Sequence, residues 1–426
     1  MKENHLVSPL KNQPIPQDRI YRGRISSNQL FLIAAILVYA GFSVPFPANP
    51  GMVEAGIAVL LALFVTVPVS ILVMAGGFSV YERLGLAPSW LHLGFFLLVW
   101  GQLFNGAVIH GWSVADMIRD LVPAIYIFLP LLLLPAMLRT SFSKWLKVLP
   151  YVISLAGVLL SLRFYMEVGI WPWELGGRHY FDNYLYLPYD PVVTFAGIFL
   201  PLMAVQSWNG RRPQRWLASL AMLTGGALAL GSLMAVAQRA PLGLAAIGFV
   251  LYFFMLTYRS LGKMLVLLIL AVSIGFLAQE QISSSIQLLS AKQEEVGANG
   301  KTEELKAVWS EVSRTPRTLL FGIGWGGLYE SPAVEGQQVS FTHSALTFFL
   351  LKTGISGLVF FMFYLLWVAR NGCSQWSLKT MPVLLASLVP ILIGLFFQVS
   401  YKTLSFGVVL TIICLMQANR TERRDG

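Results

Sequence analysis

Charge is the scarcest commodity in this chain. Only 12% of its 426 residues are Asp, Glu, Lys or Arg, against about 25% in an ordinary soluble domain. The hydrophobic share is 56% and mean hydropathy is +0.68 over the whole length. That excludes a globular domain with a single anchor and predicts a polytopic membrane protein. Cysteine is almost missing. The pair Cys373 and Cys414 makes neither a disulfide framework nor a metal site. No D-x-D pattern or carboxylate cluster offers metal ligands, so no cofactor or metal is expected. No basic stripe with interleaved aromatics is present either, so nucleic acid is not expected as a partner. The polar tail, residues 1–28, lacks the early apolar core and A-x-A site of a cleaved leader. It is expected to be retained.

What is there is apolar helix. A crossing needs about 17–25 apolar residues, and backbone groups in lipid must bond within their own segment. About twelve crossings follow, at 29–46, 53–76, 90–108, 120–137, 147–166, 191–207, 216–236, 240–257, 263–279, 343–369, 381–399 and 403–418. The fold class is therefore all-α. The chain divides into the tail, a bundle of nine crossings over 29–279, a long loop over 280–342, three last crossings over 343–418 and a tail over 419–426. With the N-terminus cytoplasmic, the inner segments hold 19 of the 30 basic residues but only 5 of the 20 acids. Basic residues favour the cytoplasmic side, so both termini are expected inside, in a bacterial inner membrane. The net charge of +10 then reports orientation.

Two outer loops stand out by length. Residues 167–190, "EVGIWPWELGGRHYFDNYLYLPYD", carry Arg178 among many aromatics. Trp171, Trp173, Tyr180 and Tyr184 are either interfacial belt residues or faces for stacking on sugar or headgroup. The second loop contains "KTEELKAVWSEVSRTP". Leu305, Val308, Trp309 and Val312 fall on one helical stripe. Thr302 is placed to cap that helix, with Glu303 and Glu304 in its first turn, and Pro316 to close it. The "FGIGWGG" that follows reads as a flexible hinge.

Cations gather at the outer helix ends. Arg163 ends the fifth crossing, and Arg239 sits in a hairpin with almost no loop. His343 opens the tenth crossing, and Lys301, Lys306, Arg314 and Arg317 stand in the long loop. Such cations either snorkel to headgroups or hold an anion. A departing diphosphate is an anion that needs fixed donors, and a histidine at the same depth can take a hydroxyl proton. A lone histidine is equally a hydrogen-bonded structural residue.

The stretch "RTPRTLLFGIGWGGLYES…FTHSALTFFLLKTGISGLVFFMFYL" resembles the C-terminal signature of the bacterial O-antigen ligase and O-antigen polymerase superfamily. The matching positions are Pro316, Gly322, Gly324, His343, Thr353 and Gly354. "AQRAPLGLAAIGFVLYFF" is similar to the family's Ser-Arg-Gly-type helix start, with Arg239 on its arginine. The resemblance covers roughly residues 230–370. It implies a membrane glycosyltransferase that moves a glycan from undecaprenyl diphosphate, at the periplasmic face and without metal. The acceptor is lipid A–core in a ligase or another lipid-linked glycan in a polymerase. By position, Arg239 binds the diphosphate, His343 serves the acceptor hydroxyl, and Arg163 is a further phosphate contact. Arg178, Lys301, Arg314 and Arg317 are further candidates for substrate binding. Lys301 stands where the family has an arginine, which leaves ligase and polymerase both open.

Lys352 does not suit a straight tenth helix, because it would lie deep in hydrocarbon. A break near "KTG" is expected, with the crossing resuming at Gly354. A lipid-linked oligosaccharide flippase and a solute transporter are the alternatives from other functional classes.

Overall fold

The computed structural model describes residues 27–44, 51–75, 87–138, 141–169, 183–207, 213–257, 301–332, 336–373 and 377–425, with residues 265 and 283 besides. Helix dominates them. In order come α1 (Ser27–Phe42), α2 (Met52–Val65), α3 (Val67–Met74), α4 (Ser89–Phe104), α5 (Val114–Ile127), α6 (Leu129–Leu138) and α7 (Phe142–Val168). Then follow α8 (Pro191–Ser207), α9 (Pro213–Ala235), α10 (Arg239–Thr257), α11 (Lys301–Val312) and α12 (Pro316–Phe321). A short antiparallel ribbon of β1 (Tyr329–Ser331) and β2 (Gln337–Val339) precedes α13 (Ala345–Cys373), α14 (Met381–Phe396) and α15 (Leu404–Asp425). Among the described residues, five helices are long and apolar enough to cross a membrane, or six if the α5–α6 pair, bent by 50°, is one span. Five more apolar helices, among them α1, α2 and α8, are shorter than that. The expected crossing over 263–279 lies outside the described residues, apart from Leu265.

The irregularities have local causes. Pro130, second in α6, has no N–H to give and crowds the carbonyl of Tyr126, so the helix bends there. Tyr364 of α13 donates to the Ile127 carbonyl at 2.8 Å, so a backbone acceptor at the bend keeps a partner inside an apolar bundle. The expected second crossing is also broken, at Thr66 (φ 73°), just ahead of Pro68 in α3. A π-helical turn, Asn105–His110, extends α4 and ends on left-handed Gly111. Such turns leave i→i−4 carbonyls free for outside donors. The break expected near "KTG" is present: Gly354 leaves helical geometry (φ 64°, ψ −164°) and kinks α13.

Two expectations about the long loop are corrected. Pro316 does not close the α11 helix, which stops at Val312. It opens α12, where Thr315 accepts from the Thr318 N–H as the cap. Nor is "FGIGWGG" a hinge, since Gly322 through Gly327 are buried. The Ile323 and Gly324 N–H groups donate to the Leu351 and Lys352 carbonyls, each at 3.0 Å, and Trp325 donates to Gln102 at 3.3 Å. At Gly324 (φ 76°) a Cβ would lie 2.6 Å from the Gly106 nitrogen. Backbone packs directly on backbone there, which only glycine permits.

Candidate functional site

The buried face of α11 differs from the apolar stripe its sequence suggests. Val308 and Val312 pack with Ile323, Tyr329, Leu350 and Leu351 in a small satellite core. Leu305 and Trp309 instead stay about half exposed, at 48% and 50%. Glu304 lies one helical turn before Val308 on the same face, so that packing carries its carboxylate inside, to 2% exposure. A buried carboxylate needs donors, and His343 supplies them. The His343 N–H donates to Glu304 Oε1 at 2.9 Å, and His343 Nδ1 meets Oε2 at 2.5 Å. An ionised carboxylate only accepts, so Nδ1 carries the proton, and in the neutral ring Nε2 is the nitrogen with the free lone pair. The neighbouring residues are also tied down. Tyr401 donates to the Thr342 carbonyl at 3.0 Å, and Ser344 caps the first turn of α13 through the Thr347 N–H at 3.1 Å.

The cations converge on the same face. Lys301, one turn before Glu304, sets its ammonium 4.7 Å from the centre of the Phe397 ring. Burial pushes the Lys301 pKa down, the nearby Arg239 charge pushes it further down, and Glu304 opposes both. One ammonium therefore lies within electrostatic reach of both Arg239 and the carboxylate that holds His343. Arg239 begins α10 just after Ala237 (φ 50°), a strained backbone for a residue with a side chain. That tight turn also presents Gln238, whose Oε1 accepts from Gln398 at 2.9 Å. Tyr189 flanks Arg239; burial raises its pKa and the Arg239 charge pulls the other way. Arg239, Lys301, Glu304 and His343 thus come from two helix ends and one turn to form a single polar patch.

The other expected residues lie elsewhere. Arg163 donates to the Ala40 and Ser43 carbonyls, each at 3.0 Å, and reaches Glu167 at 3.4 Å. It clamps the end of α1 to α7, and no described contact joins it to the His343 patch. Arg314 pairs with Glu311 at 2.8 Å and is exposed. Arg317 is also exposed, on the first turn of α12. Arg178, Trp171, Trp173 and Tyr180 lie outside the described residues, as does the Tyr184 side chain.

Sequence reasoning missed three groups. Glu304 is the first, and its signal is the i, i+4, i+8 spacing with Val308 and Val312. The second is Asp120, which pairs with Lys352 at 2.6 Å; both side chains are fully buried. Asp120 also accepts from the Gly326 N–H at 2.8 Å, and Lys352 donates to the Gly327 carbonyl. This ion pair staples α5, the glycine turn and the kinked α13 together, and explains how Lys352 is tolerated. The third is Lys402, in the turn before α15, which nothing local distinguishes. Among the described residues no group of three His, Cys, Asp or Glu side chains is placed to hold a metal ion. Compared with known protein families and with curated proteins, the chain matches none of them.

Proposed function

We propose that this chain is a periplasmic-face glycosyltransferase of the O-antigen ligase and polymerase type. It crosses the inner membrane about twelve times, with both termini cytoplasmic and the long loop folded over the outer mouth of the bundle. The donor is a glycan on undecaprenyl diphosphate. The acceptor is a glycan hydroxyl, on lipid A–core or on a second lipid-linked unit.

The observation that carries this reading is the Glu304–His343 contact beside Lys301 and Arg239. The carboxylate fixes the imidazole and leaves Nε2 to accept a proton. The acceptor oxygen loses its proton to Nε2 and bonds to the anomeric carbon. The bond from that carbon to the phosphate oxygen breaks, and the electron pair leaves with the diphosphate. Arg239 and Lys301 stabilise that leaving charge, which grows in the transition state. Arginine offers a bidentate fork and lysine a point charge.

The test is incubation of purified protein with undecaprenyl-diphosphate glycan plus either lipid A–core or a second donor molecule. Transfer to one of them names the acceptor, and His343→Ala and Arg239→Ala abolish it. If both variants transfer as well as the parent, the assignment is wrong. One observation favours the flippase or transporter reading: an ion pair, Asp120–Lys352, buried at a break in an apolar helix. Lipid that changes leaflet with its glycan unaltered would establish that alternative.

A further inference from the structure

Lys402 ends the turn Val399–Lys402 between α14 and α15. Its ammonium lies 5.6 Å from the centre of the Phe341 ring and 5.1 Å from that of Phe348. Phe341 in turn stacks edge-on against His343, with ring centres 6.3 Å apart. The preceding residue, Tyr401, is bonded to Thr342. So this amine is anchored beside the segment that carries His343.

It has no anion of its own. Among the described residues no ion pair or hydrogen-bond acceptor meets its nitrogen. Asp120 is within electrostatic reach but is already bound to Lys352 and the Gly326 N–H. Lys352 and Arg119 add positive charge from α13 and α5, and Asp116 pairs with Arg119 at 2.9 Å. His343 is the titratable group on the adjoining segment and Tyr401 the one on the turn itself. The neighbouring turns of α14 and α15 carry none. Ring faces give a cation partial compensation and no acceptor for its three donors. Burial lowers the Lys402 pKa to about 7, with Asp120 opposing and Lys352 and Arg119 adding to the fall.

We propose that Lys402 is the contact for a phosphoryl oxyanion, a second anion subsite beside His343 and separate from the Arg239–Lys301 pair. The geometry supplies a positive, partly desolvated donor that an incoming oxyanion completes. The choice of a phosphoryl group rests on the transfer reading, in which two lipid-borne ligands must meet at the histidine. Binding fixes the amine in its charged form, so the protein takes up a proton as the anion arrives.

The test uses the full chain in lipid nanodiscs. One arm adds inorganic pyrophosphate to the solution and the other places polyprenyl diphosphate in the disc. Calorimetry in two buffers reads affinity and proton uptake across pH. Uptake in both arms indicates a subsite open to water, uptake in the lipid arm alone a membrane-borne ligand, and both support the proposal. Affinity should fall about tenfold per pH unit above the amine's titration. Lys402→Met should reduce the uptake, flatten the pH slope and weaken binding. Lys402→Arg should keep affinity and lose the slope, because guanidinium does not titrate there. Arg239→Ala should weaken binding yet retain the uptake. Lys402→Met should melt no lower than the parent, since it removes an unpaired charge. Proton uptake that is absent in the parent, or that is undiminished in Lys402→Met, overturns the subsite. So does a Lys402→Met protein that melts lower and binds unchanged. Glycan transfer followed in the same discs separates the two claims: transfer without Lys402-dependent uptake removes only the subsite, and uptake without transfer removes only the enzyme reading.

Discussion

Glu304 holds His343 by two bonds at once, one to its main-chain N–H and one to its ring Nδ1, at 2.9 and 2.5 Å. The first fixes where the residue sits and the second fixes which ring nitrogen is protonated. Replacing the carboxylate with an amide separates these effects. Glu304→Gln retains an oxygen for the main-chain bond and loses the charge that stabilises imidazolium. Its transfer rate is expected to fall about 100-fold, the scale of one general acid–base contribution, with donor KM little changed. Steady-state kinetics on the purified variant check this, and an unchanged turnover number would remove Glu304 from the mechanism.

Asp120 and Lys352 neutralise each other where neither could remain alone. Asp120→Asn or Lys352→Met each strands a buried charge, at a cost of about 3–5 kcal/mol. The double variant Asp120→Leu/Lys352→Met should recover most of that loss, because no charge is left to solvate. Melting in one detergent across the set decides the matter. A double variant as weak as the worse single would mean that the ion pair is incidental.

Arg163 binds the carbonyls that end α1. Arg163→Ala should therefore cost about 1.5–3 kcal/mol, the range for a hydrogen bond to a charged group, while leaving donor KM alone. A raised KM with unchanged melting would restore it to the substrate site.

Lys301 has its pKa lowered by burial and by Arg239. Between that lowered value and the unfolded lysine's, about 10.4, the unfolded chain binds more protons than the folded one. Stability should rise with pH across that window, and below it the cost of burying the ammonium stands in full. Lys301→Met should flatten this rise relative to the parent. Arg239→Ala should narrow the window, because the folded pKa moves back up. Melting temperatures from neutral to alkaline pH read both effects.

Much of this architecture is legible in local sequence. Runs of apolar residues mark the helices, and the hairpin at Arg239 follows from the three residues between α9 and α10. An implausible lysine, Lys352, foretells the break at Gly354, since charge at that depth demands an irregular backbone. What sequence conceals is pairing. Asp120 meets Gly326 across 206 positions, and no period or propensity links them. The glycine turn is misread for the same reason. Its positive-φ residues look like freedom until α4, α5 and α13 are seen to close around them. Glu304 is hidden by convention, because an acid in a first helical turn is normally assigned to the dipole and not to a buried partner.

The docking of the glycine turn also sets an order of assembly. Its three walls are the π turn after α4, the Asp120 helix and the first half of α13, and the last of these is synthesised long after the others. Until α13 is in place, Asp120 has no counter-charge and the turn has no Leu351 or Lys352 carbonyls to bond. The docking of the glycine turn is therefore completed only once the first half of α13 is in place, so a chain truncated before Ala345 can form its early helices and still leave that turn without its partners.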